Sequence, residues 1–322
     1  MSDITKNYHP ADTAIWTGRT DGTESAHLRW HQIIQCIDLR NVESLAGKYV
    51  FLGFPVDEGV KRNKGRIGAS EGSLSLRKTL VNLPVQREYA IDLADAGDIV
   101  CLDNDLESAQ TALAEAVAII IQRGGFPIVL GGGHEVTYGH YSGVKAAKKG
   151  KIGVINFDAH FDLRRPEGGV PTSGTGFYQI ASEEKAAGSH MDYLAIGIQR
   201  ISNTEALFDT AYNFGADYIE AKDFHYMNNS FIEYKLQNFL DRIDHLYVTV
   251  DLDVFAAAYA PGVSATAFNG LVPDPYFKLA MNQLMASPKL ASIDFAELNP
   301  RYDIDSRTAK LAADLIYSLV NK

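Results

Sequence analysis

The 322-residue sequence holds only two cysteines, Cys36 and Cys101, and no CxxC pair or Cys/His ladder. A disulfide framework and a structural zinc knuckle are therefore not expected, and both thiols read as free and buried. Positive charge is also short: 30 Lys and Arg against 40 Asp and Glu leave a formal net charge of −10. Nucleic acids and anionic membrane surfaces draw on a basic surface, so neither is an expected partner. No run is long and apolar enough to cross a bilayer; the most apolar stretch, Ala112 to Ile121, contains Glu115 and is bounded by Glu107 and Arg123. The first 22 residues are polar and lack the apolar segment of a secretory signal, which sets the expectation of a reducing, cytoplasmic setting. Linkers rich in Pro or Ser, repeats and low-complexity tracts are absent too, so a single domain over residues 1–322 is expected.

What is present is alternation. Short β-branched runs read as strands at Tyr49–Phe54, Tyr89–Leu93, Pro127–Leu130, Ile152–Phe157, Tyr193–Ile198, Tyr218–Ile219, Leu246–Val250 and Ala291–Phe295. Helical spacing fills the intervals at Glu71–Leu80, Leu106–Arg123, Glu135–Ala147, Thr204–Phe214, Phe231–Arg242, Pro275–Met285 and Asp305–Val320. Runs such as IGVINF and LYVTV are nearly continuous in apolar residues, as strands covered on both faces require. Strand–helix alternation of this kind predicts an α/β chain with a mostly parallel sheet of about eight strands and helices on both sides, a three-layer α/β/α arrangement. Residues 1–47 show little periodicity and are expected to wrap the surface, anchored by Trp16 and Trp30. Lys145, Lys148, Lys149 and Lys151 cluster at a helix C-terminus, where dipole and solvation account for them without a partner.

Open parallel sheets bind ligands beyond the carboxyl ends of their strands. Three such ends here carry metal-type ligands: Gly131-Gly132-Gly133-His134-Glu135, then Asp158-Ala159-His160-Phe161-Asp162, then Asp251-Leu252-Asp253. If the strands continue, residues two apart share a face, which would align Asp158, His160 and Asp162, and likewise Asp251 with Asp253. Four aspartates converging there would repel unless cations neutralised them, and two divalent ions offset them in charge. Carboxylate oxygen and imidazole without thiolate suit Mn²⁺ ahead of Fe²⁺, Co²⁺ or Zn²⁺. Each segment alone is weak, because Asp and His commonly cap helices and turns. All three together make coincidence a poor explanation. A dinucleotide-binding reading fails, since Gly131-Gly132-Gly133 does not form GxGxxG.

These three segments resemble the signature set of the arginase/agmatinase (ureohydrolase) family, over most of residues 48–320. The resemblance implies a binuclear manganese hydrolase of three-layer α/β/α fold, with two Mn²⁺ per chain, a small-molecule substrate and a homo-oligomeric assembly. Within the family, the chain most resembles the branch that hydrolyses the amidine N-formimidoyl-L-glutamate to L-glutamate and formamide in histidine degradation. That branch is suggested by GGGHE, by Trp16-Thr17-Gly18-Arg19, by the segment from Arg62 to Ala69 (RNKGRIGA), by Thr172 to Phe177 (TSGTGF) and by Ala260 to Ala265 (APGVSA). The resemblance places His134, Asp158, Asp162 and Asp251 around one ion and Asp158, His160, Asp251 and Asp253 around the other, with Asp158 and Asp251 bridging. It also implies that Glu297 grips the substrate's amidinium and that Asp162 takes part in proton movement. Phe177 stands where arginases carry a proton-shuttling histidine, which favours an amidine over arginine.

A substrate with carboxylates needs cationic or amide partners. Arg164, two residues beyond Asp162, is the first candidate, because a guanidinium binds carboxylate bidentately. Arg66 and Asn63, in an early Gly-containing loop, come next, with Ser173 on the loop before Phe177. Arg165 reads as a solvated surface charge, and Arg200 and Asn203 are candidates for the rim. Two other functions compete: another ureohydrolase (agmatinase, guanidinobutyrase or arginase) acting on a guanidine, and a noncatalytic metal-bound scaffold.

Overall fold

The computed structural model describes residues 6–86 and 91–322. Ten strands form one sheet: β1 (Tyr8–His9), β2 (Gln35–Cys36), β3 (Tyr49–Gly53), β4 (Leu93–Ile99), β5 (Phe126–Leu130), β6 (Ile152–Phe157), β7 (Asp192–Ile198), β8 (Asp217–Glu220), β9 (His245–Asp251) and β10 (Leu290–Ala296). The helices are α1 (Trp30–Ile33), α2 (Glu58–Arg62), α3 (Gly72–Leu80), α4 (Leu106–Gln122), α5 (Val136–Ala147), α6 (Gly176–Ala186), α7 (Glu205–Phe214), α8 (Asn229–Asp241), α9 (Pro275–Met285) and α10 (Arg307–Val320). The strand order is β1-β4-β3-β5-β10-β9-β6-β7-β8, with β2 paired to β4. Among the described strands only β1 runs antiparallel to its neighbour.

Alternate residues of each central strand feed two separate cores, which is why these strands are apolar on both sides. Phe51, Ile128, Ile155, Val248 and Ile293 pack with α3, α8, α9 and α10. Val50, Val129, Val154 and Tyr247 pack on the other face with α4, α5, α6 and α7. The result is the three-layer α/β/α arrangement. Helix starts are set by capping: Asp105 accepts from Ser108 N at 3.0 Å, and Asp274 accepts from Phe277 N at 2.9 Å with Pro275 in the first turn.

The structure departs from the sequence expectations at four points. Among the described residues the sheet has ten strands rather than about eight, because residues 6–47 do more than wrap the surface. They supply β1 and β2 to one edge, and Trp16 and Trp30 are both buried. The strand expected at Tyr89–Leu93 lies further on, at Leu93–Ile99; Tyr89 and Ala90 fall outside the described residues. Three helices among the described residues went unexpected, the short α1 and α2 and the longer α6. Cys36 and Cys101 are free but only partly buried, since both sit near the margins of the sheet.

The topology creates a crevice. After β5 the chain crosses by α5 to β6, yet β10 and β9 are inserted between those two strands. Four adjacent parallel strands, β5, β10, β9 and β6, therefore open their carboxyl ends side by side where the winding reverses. That is where an open α/β sheet offers a ligand site.

Candidate metal centre and substrate cavity

Each of these four strand ends delivers part of one cluster. After β5, the three glycines pass through a gap too narrow for side chains: a Cβ on Gly132 would lie 1.8 Å from Val56 O. Gly133 N bonds to Val56 O at 2.8 Å, Gly131 N to Phe295 O at 2.9 Å, and Glu297 N to Gly132 O at 2.7 Å. His134 is thereby held between the ends of β3 and β10.

The aspartates converge through turns rather than along extended faces. β6 ends at Phe157 and β9 at Asp251. Asp158 Oδ1 accepts from His160 N at 2.7 Å, and Asp251 Oδ1 accepts from Asp253 N at 2.8 Å. Both are Asx-turns, in which the carboxylate captures the N–H two residues on and bends the chain. Asp162 follows in the left-handed region at φ 49°, and Glu297 after β10 at φ 65°. Two non-glycine residues in this sparsely populated region at one site are a mark of imposed geometry. Asn203, proposed for the rim, is instead buried behind the Asp158–Asp162 turn, donating to Ala159 O at 2.8 Å and accepting from Phe161 N at 3.1 Å.

The donor atoms form two groups, His134 with Asp158, Asp162 and Asp251, and Asp158 with His160 and Asp253, each mutually within 4.8 Å. His134 Nδ1 lies 2.7 Å from Asp162 Oδ2, 3.2 Å from Asp158 Oδ2 and 3.3 Å from Asp251 Oδ2. His160 Nδ1 lies 3.3 Å from Asp158 Oδ1 and 3.1 Å from Asp253 Oδ2. Asp158 thus offers one oxygen to each group. Asp251 falls in only the first of the two groups.

Electrostatics set the character of the cluster. Burial pushes Asp251 well above the usual carboxylate range, and Asp253 and Asp158 push it further. Burial likewise lifts Asp253 to about 6, with His160 pulling down and Asp158 pushing up. Asp162 is raised by burial and by Asp158. Asp158 itself is held low, because His134 and His160 outweigh its burial. Burial disfavours charge on both imidazoles, but the surrounding aspartates overcome it and raise both well above the ordinary histidine value. Among the described residues no lysine or arginine pairs with any of these carboxylates. Oxygen and imidazole donors, close-set and lacking countercharge, fit a pair of hard-to-borderline divalent cations.

The cluster floors a cavity of about 340 Å³ whose lining includes Asn63, Arg66, Arg164, Ser173 and Glu297. Glu297 Oε1 accepts from His134 N at 2.9 Å, while its buried Oε2 has no partner. Burial and the nearby Glu135 raise the Glu297 pKa well above its ordinary value. Asn63 Nδ2 donates to Ser173 Oγ at 3.2 Å across the mouth. Arg66 lines the cavity but spends Nε on Ser264 O at 2.8 Å and Nη2 on Val263 O at 2.6 Å, with its guanidinium 4.2 Å from the Tyr302 ring centre. The Arg164 side chain is exposed at the mouth, beside Gly174. Arg200 does not reach the cavity, because Glu220 holds it at 2.7 Å and Phe208 lies beneath it.

Phe177 is fully buried, its ring edge-on to His134 at 5.8 Å and tilted against Tyr193 at 4.5 Å. It packs under a donor imidazole instead of facing the cavity, whose lining includes no histidine beyond His134 and His160 among the described residues. Sequence reasoning missed Glu135, which accepts from Gly59 N at 2.7 Å and whose carboxyl is lifted by burial to about 8. That contact ties the His134 turn to α2, and so to the loop bearing Asn63 and Arg66. No spacing in the chain could have announced it, since its partner is 76 residues away.

Fold and site together define an α/β protein with a paired-cation donor set in the crevice of a parallel sheet. The Arginase family model matches residues 47–321, and the chain belongs to the arginase family. It is 46% identical over 311 residues to the formimidoylglutamase of Rhodococcus opacus, covering 95% of each chain. Among solved structures it is similar to the formimidoylglutamase from Bacillus subtilis, with a TM-score of 0.80 at 23% identity over 94% of this chain and 92% of that one. It is also similar to the Trypanosoma cruzi formiminoglutamase solved with two Mn²⁺, with a TM-score of 0.76 at 26% identity over 88% and 97%.

Proposed function

We propose that this chain hydrolyses N-formimidoyl-L-glutamate to L-glutamate and formamide, using two Mn²⁺ ions. The observation that carries this reading is the near end-to-end likeness to the Rhodococcus opacus formimidoylglutamase; the donor cluster and its cavity supply the chemistry. His134, Asp158, Asp162 and Asp251 would hold one ion, and Asp158, His160 and Asp253 the other. Such a pair of ions supplies water of lowered pKa and charge stabilisation at the reacting carbon.

The remaining work falls to side chains. Glu297, fixed through Oε1 by the His134 N–H, turns its unpartnered Oε2 to the amidinium N–H groups. That contact places the electrophilic carbon over the cluster, and such positioning contributes several kcal/mol to lowering the barrier. Asp162 moves a proton on the carboxylate oxygen left over from its His134 contact, towards the departing glutamate amine. Arg164 clamps one substrate carboxylate, since its fork has no competing partner among the described residues. Asn63 and Ser173 hold the other, and Arg66 mainly shapes the wall through its grip on the 263–264 backbone. A cytoplasmic setting and a homo-oligomeric assembly belong to the same reading; no helix among the described residues is long and apolar enough to cross a membrane.

A substrate panel with added manganese tests the proposal. Formimidoylglutamate, arginine, agmatine and guanidinobutyrate are compared by separate measurement of formamide, urea and ammonia. Formamide from formimidoylglutamate is the expected result. Urea from any guanidine would move the chain to another branch of the family, and no turnover of any substrate would leave a metal-bound scaffold.

A further inference from the structure

Behind the cavity floor lies a second polar cluster that the proposed reaction does not use. Tyr247 and Thr249 of β9, Ser292 and Asp294 of β10 and His140 of α5 meet between the sheet and α5, all fully buried. Asp294 is the hub. Its Oδ1 accepts from Thr249 Oγ at 2.6 Å; its Oδ2 accepts from the Tyr247 hydroxyl at 2.5 Å and meets His140 Nδ1 at 2.6 Å. His140 Nε2 in turn meets Ser292 Oγ, which donates to Pro127 O at 3.1 Å.

One link runs from this cluster into the metal centre: His134 Nε2 lies 3.0 Å from Thr249 Oγ. A hydroxyl has one hydrogen to give. Thr249 gives it to Asp294, so toward His134 it can only accept, and Nε2 must carry the hydrogen. In the neutral imidazole, Nδ1, which faces the oxygens of Asp158, Asp162 and Asp251, is then left with a bare lone pair. We infer that Asp294, acting through Thr249, locks His134 in the tautomer that presents Nδ1 to a cation. This inference rests on the proposed reading of His134 as a ligand. Tyr247 and His140 support it by fixing Asp294 from the other side.

The second imidazole has no such device. His160 uses Nδ1 for its aspartate contacts, its Nε2 has no hydrogen-bond partner among the described residues, and its side chain is 25% exposed. The two cation positions therefore differ: the one at His134 depends on Thr249 and Asp294, and the one at His160 does not. Thr249 and Asp294 are positioning residues in this scheme, since neither lines the cavity.

Manganese titration against a competing chelator, on wild type, Thr249→Val, Thr249→Ser and Asp294→Asn, tests the lock. Thr249→Val and Asp294→Asn are expected to weaken one of two ions by about 10–100-fold and leave the other alone, as loss of a ligand's outer partner does. Thr249→Ser, which keeps the hydroxyl, should stay close to wild type; a loss of space alone would affect Ser more than the isosteric Val. With zinc as a diamagnetic probe and ¹⁵N-labelled histidine, wild type should show a slowly exchanging His134 Nε2–H that Thr249→Val loses. Zinc bonded to Nε2 of His134 would overturn the inference. A wild type that holds two ions beside an unaffected Thr249→Val overturns the lock alone; a wild type that holds none overturns the reading of the site and the lock with it.

Discussion

Two regions of the sheet bury carboxylates, and they treat them oppositely. On β4, Asp95 and Asp98 meet the fully buried Arg77 of α3, with Nε 2.8 Å from Asp95 Oδ2 and Nη1 2.7 Å from Asp98 Oδ1. Trp16 Nε1 adds a 2.7 Å bond to Asp95, and Gly97 N another at 2.9 Å. Burial works against charge on Arg77, but the two aspartates more than offset it and its pKa rises above the ordinary arginine value. At the crevice, four aspartates and Glu297 surround two imidazoles with no arginine or lysine paired to them among the described residues. A chain that can compensate buried carboxylates in one place, and leaves them uncompensated in another, has a use for the deficit. The first cluster is finished by folding alone, and the second, on the proposed reading, by cations.

The contrast can be broken by experiment. Asp158→Asn or Asp251→Asn should abolish hydrolysis together with metal content, a loss beyond the roughly 100-fold that outer partners cost. Metal analysis beside a formamide assay checks this, and full activity in either variant would reject the paired-cation scheme. Arg77→Met should cost about 3–5 kcal/mol of stability, because it strands two carboxylates without a countercharge. Chemical denaturation measures that loss, while a variant as stable as wild type would mean the β4 cluster is not compensated as described.

Removal of metal should expose the deficit through pH. Asp253, at about 6 in the fold against 3.8 ordinarily, binds a proton that the unfolded chain has released, so its contribution to stability falls as pH rises between those values. His134 and His160, raised above 6.5, contribute stability below that value and lose it as pH climbs through their folded pKa. The chelated protein should therefore melt at progressively lower temperature from about pH 5 upward. With manganese bound the trend should reverse, since ligation needs the deprotonated donors. A flat profile for the chelated protein would show that the crevice carries no charge deficit.

Two smaller effects separate the regions further. Arg164→Ala should raise KM for formimidoylglutamate by about 10–100-fold with kcat little changed, as loss of uniform binding to a charged group does. An unchanged KM would remove Arg164 from the substrate site. Trp16→Phe, which deletes one donor to Asp95, should cost about 1–3 kcal/mol in denaturation and leave KM alone. A shift in KM there would mean that the two clusters communicate.

Legibility followed locality. The helix α4 and the strands β6 and β9 stood out because their apolar periodicity is continuous along the chain. β4 did not, because LADAGDI carries two aspartates and a glycine that disfavour a strand until Arg77 arrives from α3. α6 hid for a similar reason: its buried stripe of Phe177, Ile180 and Ala181 is completed by Glu184, a residue that reads as exposed. Tyr141 at 2.8 Å, with Lys145 beside it, helps make that carboxylate fit to bury. The expectation of extended metal-binding faces missed the Asx-turns, because a period of two looks the same whether the strand continues or the carboxylate bends it.

The residue types around the crevice, the alternation of strands and helices and the family were determined by the sequence itself, since ligand chemistry and periodicity are properties of short stretches. Tertiary structure alone decided that β5, β10, β9 and β6 are neighbours, that Arg66 is spent on a backbone wall and that Thr249 stands behind His134. Pairing between distant strands and the direction of a shared hydrogen depend on what surrounds a residue in space, and no local pattern encodes either.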